Sequence, residues 1–189
     1  MIDNLKLKKR VEKLCTNENF VHHEWYFKYH LELVERIVNE LKEYYPEADF
    51  ELINSMVWFH DLDKIVKNQN IVPNDILVEV GFDDNEIQRI NDLLKITEGH
   101  REIDINEAVI EAKILTSADG VAHFTGPFPL IYWRDNPNKP IEEMMADNLE
   151  KLKRDWERKI VIPELKKSFE GRYNYLLELR GIYPDKFIK

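Results

Sequence analysis

The chain has 189 residues, 43% hydrophobic and 33% charged, enough apolar material to bury one sizeable core in a single domain. A formal net charge of −9 gives a surface that repels phosphate backbones, which excludes non-specific nucleic-acid or anionic-membrane binding. The single cysteine, Cys15, excludes an internal disulfide. No apolar run suits a leader or a membrane span, so a cytoplasmic protein is expected.

Helical spacing dominates the apolar pattern. Over residues 22–43 the stripe Phe27, His30, Val34, Ile37 and Leu41 predicts a helix, which Pro46 closes. A second helix, over 49–60, carries Ile53, Met56 and His60 on one face and ends at the turn HDLDK. Pro73, Asn74 and Asp75 start a short helix that runs to Gly81. Asp83 and Glu86 are spaced as a capping box, opening a helix with Ile87, Ile90, Leu94 and Thr97 inward, before Gly99. The most apolar helix spans 106–124. Residues 125–140 hold Pro127, Pro129, Pro137 and Pro140 with three aromatics and predict a loop. Two long helices follow, one with Ile141, Met145, Leu149, Leu152, Trp156 and Ile160 inward, the other with Leu165, Phe169, Tyr173 and Leu176. No strand pair is discernible, and the expected class is all-α.

Ionisable residues on these apolar stripes are the candidates for chemistry. His30 lies between Phe27 and Val34, His60 and Asp61 end a helix in MVWFHD, and Asp119 shares a stripe with Ala108, Ala112, Leu115 and Ala122. A lone buried carboxylate costs several kcal/mol unless it is paired. No Lys or Arg lies on the Asp119 stripe within one turn. Two imidazoles and two carboxylates converging from three helices would resolve this by holding one divalent cation. Such a donor set suits Mn, Fe, Co, Ni or Zn, with Mg less favoured by imidazole. Each residue alone has a bland alternative as a hydrogen-bonded core side chain. The ordered set is what points to a metal.

His30 in YFKYHLELVERIV, His60-Asp61 in SMVWFHDLDKI and Asp119 in AKILTSADGVAHF resemble the H…HD…D pattern of the HD superfamily of metal-dependent phosphohydrolases. The resemblance covers about residues 22–124. It implies an HD-domain-like helical bundle, here with two additional C-terminal helices. It also implies hydrolysis of a small phosphate ester or anhydride, such as a nucleotide, by metal-activated water. Some nucleotidase-like members carry a carboxylate three residues after the HD aspartate, where this chain has Lys64. Members with two metals place two further histidines before the last aspartate. This chain has only His100 there, which favours one metal ion. His100, in KITEGHR, is assigned to phosphate contact or leaving-group protonation.

Lys64, His100, Arg101 and Arg134 are the candidate substrate contacts, with Asp61, His100 and Lys64 the candidate catalytic residues. Residues 125–140 are expected to border the site mouth, with Trp133 or Arg134 facing it. Glu98 or Asp63 are weaker candidates to orient water. His22, His23 and His123 are weaker candidates still, and Cys15 is expected to be inert. The partners expected are a small phosphorylated substrate and no membrane, and the sequence is compatible with a homo-oligomer. A non-catalytic regulatory domain that keeps the metal and a ligand is the competing expectation, because Lys64 replaces a catalytic carboxylate.

Overall fold

The structure, a computed structural model, describes residues 3–20, 22, 24–97 and 104–188. Every regular element among these residues is helical and none is a strand, so the chain is all-α. No described helix is long and apolar enough to cross a membrane. The chain divides into two compact units, Met1–Leu115 and Thr116–Lys189, and the division falls inside one unbroken helix.

In the first unit, α1 (Asn4–Cys15) is opened by Asp3, whose side chain accepts from the Lys6 N–H. Leu7, Val11 and Leu14 recur at helical spacing and are buried. This helix occupies a segment for which only the lack of a leader is predicted. Cys15 ends it fully buried, and burial, with Glu12 nearby, pushes its thiol up to about 12. The native protein should therefore resist alkylation by iodoacetamide at pH 8 and react once unfolded in urea. Rapid labelling of the folded chain would contradict that burial.

The helix predicted over 22–43 begins at Trp25 and is not uniform. Phe27–Leu31 form a π turn, α2 is Glu32–Glu40, and Leu41–Glu43 tighten into a 3₁₀ turn. The predicted stripe of Phe27, His30, Val34, Ile37 and Leu41 is buried along its whole length. Asp49 caps α3 (Phe50–Phe59) by accepting from the Leu52 N–H. A two-residue turn of His60 and Asp61 leads into α4 (Leu62–Val66). Pro73 sits in the first turn of α5 (Pro73–Val80), and Gly81 ends that helix at φ +105°, a left-handed conformation that favours glycine. The capping box of α6 (Asp84–Thr97) is formed: Asp83 accepts from the Glu86 N–H and Glu86 from the Asp83 N–H, both at 2.9 Å. α3 is the central element, packed by α1, α2 and α6. Its Trp58 stacks on Phe27 at 5.4 Å and lies under the Lys8 ammonium at 4.8 Å.

The most apolar helix, α7 (Ile110–Ala122), starts later than its spacing predicts. Asp104 caps a separate 3₁₀ turn, Ile105–Glu107, and Ala108 is extended, which breaks the helix off from that turn. The second unit begins within α7. Residues 125–140 require a correction, since Phe128–Asp135 form a helix, α8. Pro127 stands at its N-cap and Pro129 in its first turn, where the missing N–H has no helical partner to lose. Two long helices follow as expected, α9 (Ile141–Arg154), continued by a π turn over Asp155–Lys159, and α10 (Pro163–Glu178). Leu152 and Ile160 of the predicted stripe are buried, but Met144 and Asn148 take the inward places expected for Met145 and Leu149. Met144, Asn148 and Leu152 are buried, whereas Ile141 is 52% exposed. Leu165 and Leu176 are the buried residues of α10, and its Tyr173 stacks on Trp156 at 4.4 Å.

Candidate metal centre

Three of the four predicted ligands meet in the first unit. His30 is fully buried, and His60 and Asp61 are nearly so. Asp61 stands at the N-cap of α4 with φ −115°, but its side chain makes no capping hydrogen bond, so its carboxylate is available to the side chains around it. Nε2 of His30 lies 3.5 Å from Asp61 Oδ2, and Nε2 of His60 lies 3.4 Å from the same oxygen. The imidazole rings are 5.7 Å apart, and each offers a nitrogen within 4.8 Å of the other. The π turn sets the position of His30, at the kind of local helix widening that concentrates at functional sites.

The orientation of His60 is fixed from behind, where Nδ1 is 2.8 Å from the Val57 carbonyl. A carbonyl only accepts, so Nδ1 carries the proton and the Nε2 lone pair faces Asp61. This is the arrangement a metal-ligating imidazole needs. Two donors each about 2.1 Å from one ion stand roughly 3.0–3.4 Å apart, close to the separations found here. The neutral-nitrogen and carboxylate donor set therefore fits a divalent transition ion.

Burial opposes ionisation of Asp61, but the adjoining imidazoles of His60 and His30 and the ammonium of Lys64 outweigh it. The carboxyl is held well below its ordinary value. Lys64 donates to Oδ1 and the Tyr26 hydroxyl to Oδ2. Lys64 thus touches Asp61, although its side chain is 58% exposed. Tyr26 was missed by sequence reasoning. Its signal is an aromatic residue four before His30, on the same helical face, with ring centroids 4.7 Å apart. His22 stacks on the Tyr26 ring at 5.2 Å.

A cavity of about 460 Å³ lies beside this cluster, lined by His60, Asp63, Asn74, Gln88, Asn91 and Lys95 among others. Its size falls in the range of small-molecule sites, and its three amides can read hydrogen-bonding groups. His100, Arg101, Glu98 and His23 lie outside the described residues.

Asp119, the fourth predicted ligand, belongs to the second unit and corrects one premise. Its carboxylate does have a cation, because Lys159 donates to Oδ2 at 2.6 Å. The partner is 40 residues away in sequence, beyond the reach of any argument from one helix. His123, one turn after Asp119, sits with Nε2 3.5 Å from Asp119 Oδ1 and Nδ1 3.0 Å from Asp155 Oδ2. The pairs Asp119–Lys159 and His123–Asp155 make a two-rung ladder, with members four apart on each strand of chain. Ser117 secures that ladder by accepting from the N–H groups of Val161 and Ile162 and donating to the Lys159 carbonyl.

Gly120 allows the close approach. A Cβ there would lie 2.9 Å from Ile160 Cγ1 and 3.2 Å from Lys159 Cβ. In an open helix Gly→Ala gains about 1 kcal/mol, but overpacking costs about 1–3. Gly120→Ala should therefore lose up to about 2 kcal/mol and loosen Lys159 from Asp119. A raised urea midpoint would show that the space is not limiting.

Arg134 is exposed on α8 and Trp133 half-buried. Comparison with protein-family models, curated proteins and solved structures gives no match.

Proposed function

We propose that the chain is a metal-dependent hydrolase of a small phosphate ester or anhydride, with one divalent ion held by His30, His60, Asp61 and Asp119. The observation that carries this reading is the convergence of two buried imidazole Nε2 atoms on one carboxylate oxygen, with the His60 tautomer set by the Val57 carbonyl. Asp119 joins the set on the order of the H…HD…D pattern and on its place in α7, four residues past the end of the first unit. The resemblance to the HD superfamily supports an HD-domain-like bundle.

A bound divalent ion supplies Lewis acidity and lowers the pKa of water at neutral pH. The protein's part is positioning and charge. Tyr26 and Lys64 fix the Asp61 carboxylate by hydrogen bonds to its two oxygens, one each. Lys64, exposed enough to reach a ligand, neutralises a phosphate oxygen, with His100, Arg101 and Arg134 as further phosphate contacts and His100 as leaving-group acid. The amides of Asn74, Gln88 and Asn91 hold the remainder of the substrate, as a nucleotide would require.

A second reading is a non-catalytic regulatory domain that binds metal and ligand. It is favoured by Lys64, which already neutralises Asp61 from the position where related enzymes carry a carboxylate.

Elemental analysis and calorimetric titration with Mn, Co, Ni, Zn and Mg test the metal, followed by a turnover screen of phosphate monoesters and nucleotides. One ion per chain with turnover is expected. No saturable binding of any of the five ions would overturn both readings, and binding without turnover would select the second.

A further inference from the structure

The cavity of about 460 Å³ beside the candidate metal centre is lined within the first unit, and His60 belongs to both. Phe59 and Leu94 are part of its apolar wall, and Asp63, Asn74, Gln88, Asn91 and Lys95 supply its polar groups. Asn91 is half-buried and the other four are exposed, so these side chains are within reach of a ligand.

Hydrogen bonds decide which of these groups are open. Gln88 donates through Nε2 to Asp92 Oδ2 at 2.8 Å. A carboxylate only accepts, so this orientation is fixed and the Gln88 carbonyl is left for the cavity. Asn91 donates from Nδ2 to Asn74 Oδ1 at 3.3 Å. Whichever amide of that pair donates, one carbonyl and one NH₂ stay open side by side. Lys95 donates to Asp92 Oδ1 at 2.9 Å, so the cation on the described wall is already balanced. Asp63 has no hydrogen-bond or ion-pair partner among the described residues.

We infer that this cavity binds a sugar through two adjacent hydroxyl groups, so that the substrate of the proposed hydrolase is a phosphate ester of a sugar. Only the phosphate in that statement rests on the hydrolase reading. A hydroxyl both donates and accepts, so a vicinal diol meets the open NH₂ and the open carbonyl of the Asn74–Asn91 pair together. A further hydroxyl donates to Gln88 or Asp63. The unbalanced carboxylate of Asp63 repels a second anionic group, which selects a neutral body. Phe59 and His60 are the aromatic rings on the described wall and are only 6% and 7% exposed, so a base gains little by stacking there. A nucleotide would therefore be held by its ribose, with its base outside the cavity.

The probe is methyl β-D-ribofuranoside, titrated in chelator into the ¹⁵N-labelled full chain and followed through the side-chain NH₂ resonances. Its 2-deoxy analogue and cytidine are the comparators. Saturable shifts are expected at Asn74, Gln88 and Asn91, with a Kd on the order of 10 mM. The 2-deoxy analogue should bind roughly three- to tenfold more weakly, for the loss of one hydroxyl. Cytidine should gain less than the roughly fivefold that a stacked base adds at the least. Asn91→Ala should remove the preference for the riboside over its 2-deoxy analogue, with an unchanged far-UV circular dichroism spectrum.

Equal binding of the riboside and its 2-deoxy analogue to the wild type would overturn the inference, as would an unchanged preference in folded Asn91→Ala. If that variant fails to fold, the wild-type comparison decides. A gain of about fivefold or more in cytidine would give the cavity to a base instead. Absence of saturable shifts at the three amides would leave them as solvated surface groups. The probe carries no phosphate and the solution no free metal, so a failed hydrolase reading leaves these shifts standing. A failed sugar site, in turn, leaves metal binding and turnover untouched.

Discussion

Replacing Asp61 by alanine is expected to weaken divalent-metal binding by more than a hundredfold, the largest single effect foreseen for this protein. Losing a hydrogen-bonding group behind a metal ligand typically costs ten- to a hundredfold in affinity, and losing a ligand itself costs more. Asp61 is the oxygen on which both imidazoles converge, and its carboxyl stays ionised although nearly buried. Without it, Asp119 is the one carboxylate of the proposed set left to offset the charge of an ion. Tyr26→Phe should fall in the ten- to hundredfold range, because the phenol only orients the carboxylate. Lys64→Met should bind metal at least as tightly as wild type, since the ammonium competes electrostatically with a cation, while turnover falls. Calorimetric titration with Mn or Co measures all three, with far-UV circular dichroism as the control for folding. Wild-type affinity in Asp61→Ala would remove the site from the HD turn altogether.

Acidification of the metal-free chain is expected to destabilise the second unit in two successive windows. Burial drives His123 down to about 4, aided by Lys151 and opposed by Asp119 and Asp155. The unfolded chain, with an ordinary histidine near 6.5, therefore binds more protons than the folded one between pH 6.5 and 4. Stability must fall as pH drops through that range, by on the order of 3 kcal/mol, and level off below it. Burial raises Asp155, but His123, Lys151 and Lys159 pull it down to about 2. Its contribution is present above the ordinary carboxyl value and is lost as pH falls through that value towards 2. Urea midpoints measured in chelator from pH 7.5 to 3 would show the first window. His123→Asn should flatten it, and an identical slope in that variant would mean that His123 is not the titrating group.

What was legible in the sequence is what is decided locally. Pro73, Gly81 and the Asp83–Glu86 box mark helix ends because each acts on backbone groups within a turn of itself. The stripe around His30 is buried because its helical period is carried by the residues themselves. The proline-rich stretch misled because number was weighed over position: Pro127 and Pro129 stand where a helix tolerates them. The His60–Asp61 turn was found from its place at a helix end, whereas Tyr26 needed the side chains to be seen together. Lys159 was out of reach, because nothing within a turn of Asp119 announces a cation arriving from a later helix. The same holds for Asn148 of α9 and for Asp155 in the π turn after it, buried polar residues that a purely apolar stripe passes over.

The widened turn at Asp155–Lys159 makes helical phase, rather than side-chain identity, the tightest constraint on the second unit. A π turn is an α-helical turn carrying one residue more, and each residue of an α-helix advances about 100° around the axis. Deleting Glu157 would leave Asp155 aligned with His123 but swing Lys159 through about that angle, off Asp119. Residue spacing at this point thus acts as a gauge. Substitution of the exposed Glu157 can vary the chemistry of the surface, while a change in the number of residues here uncouples the two rungs of the ladder from each other.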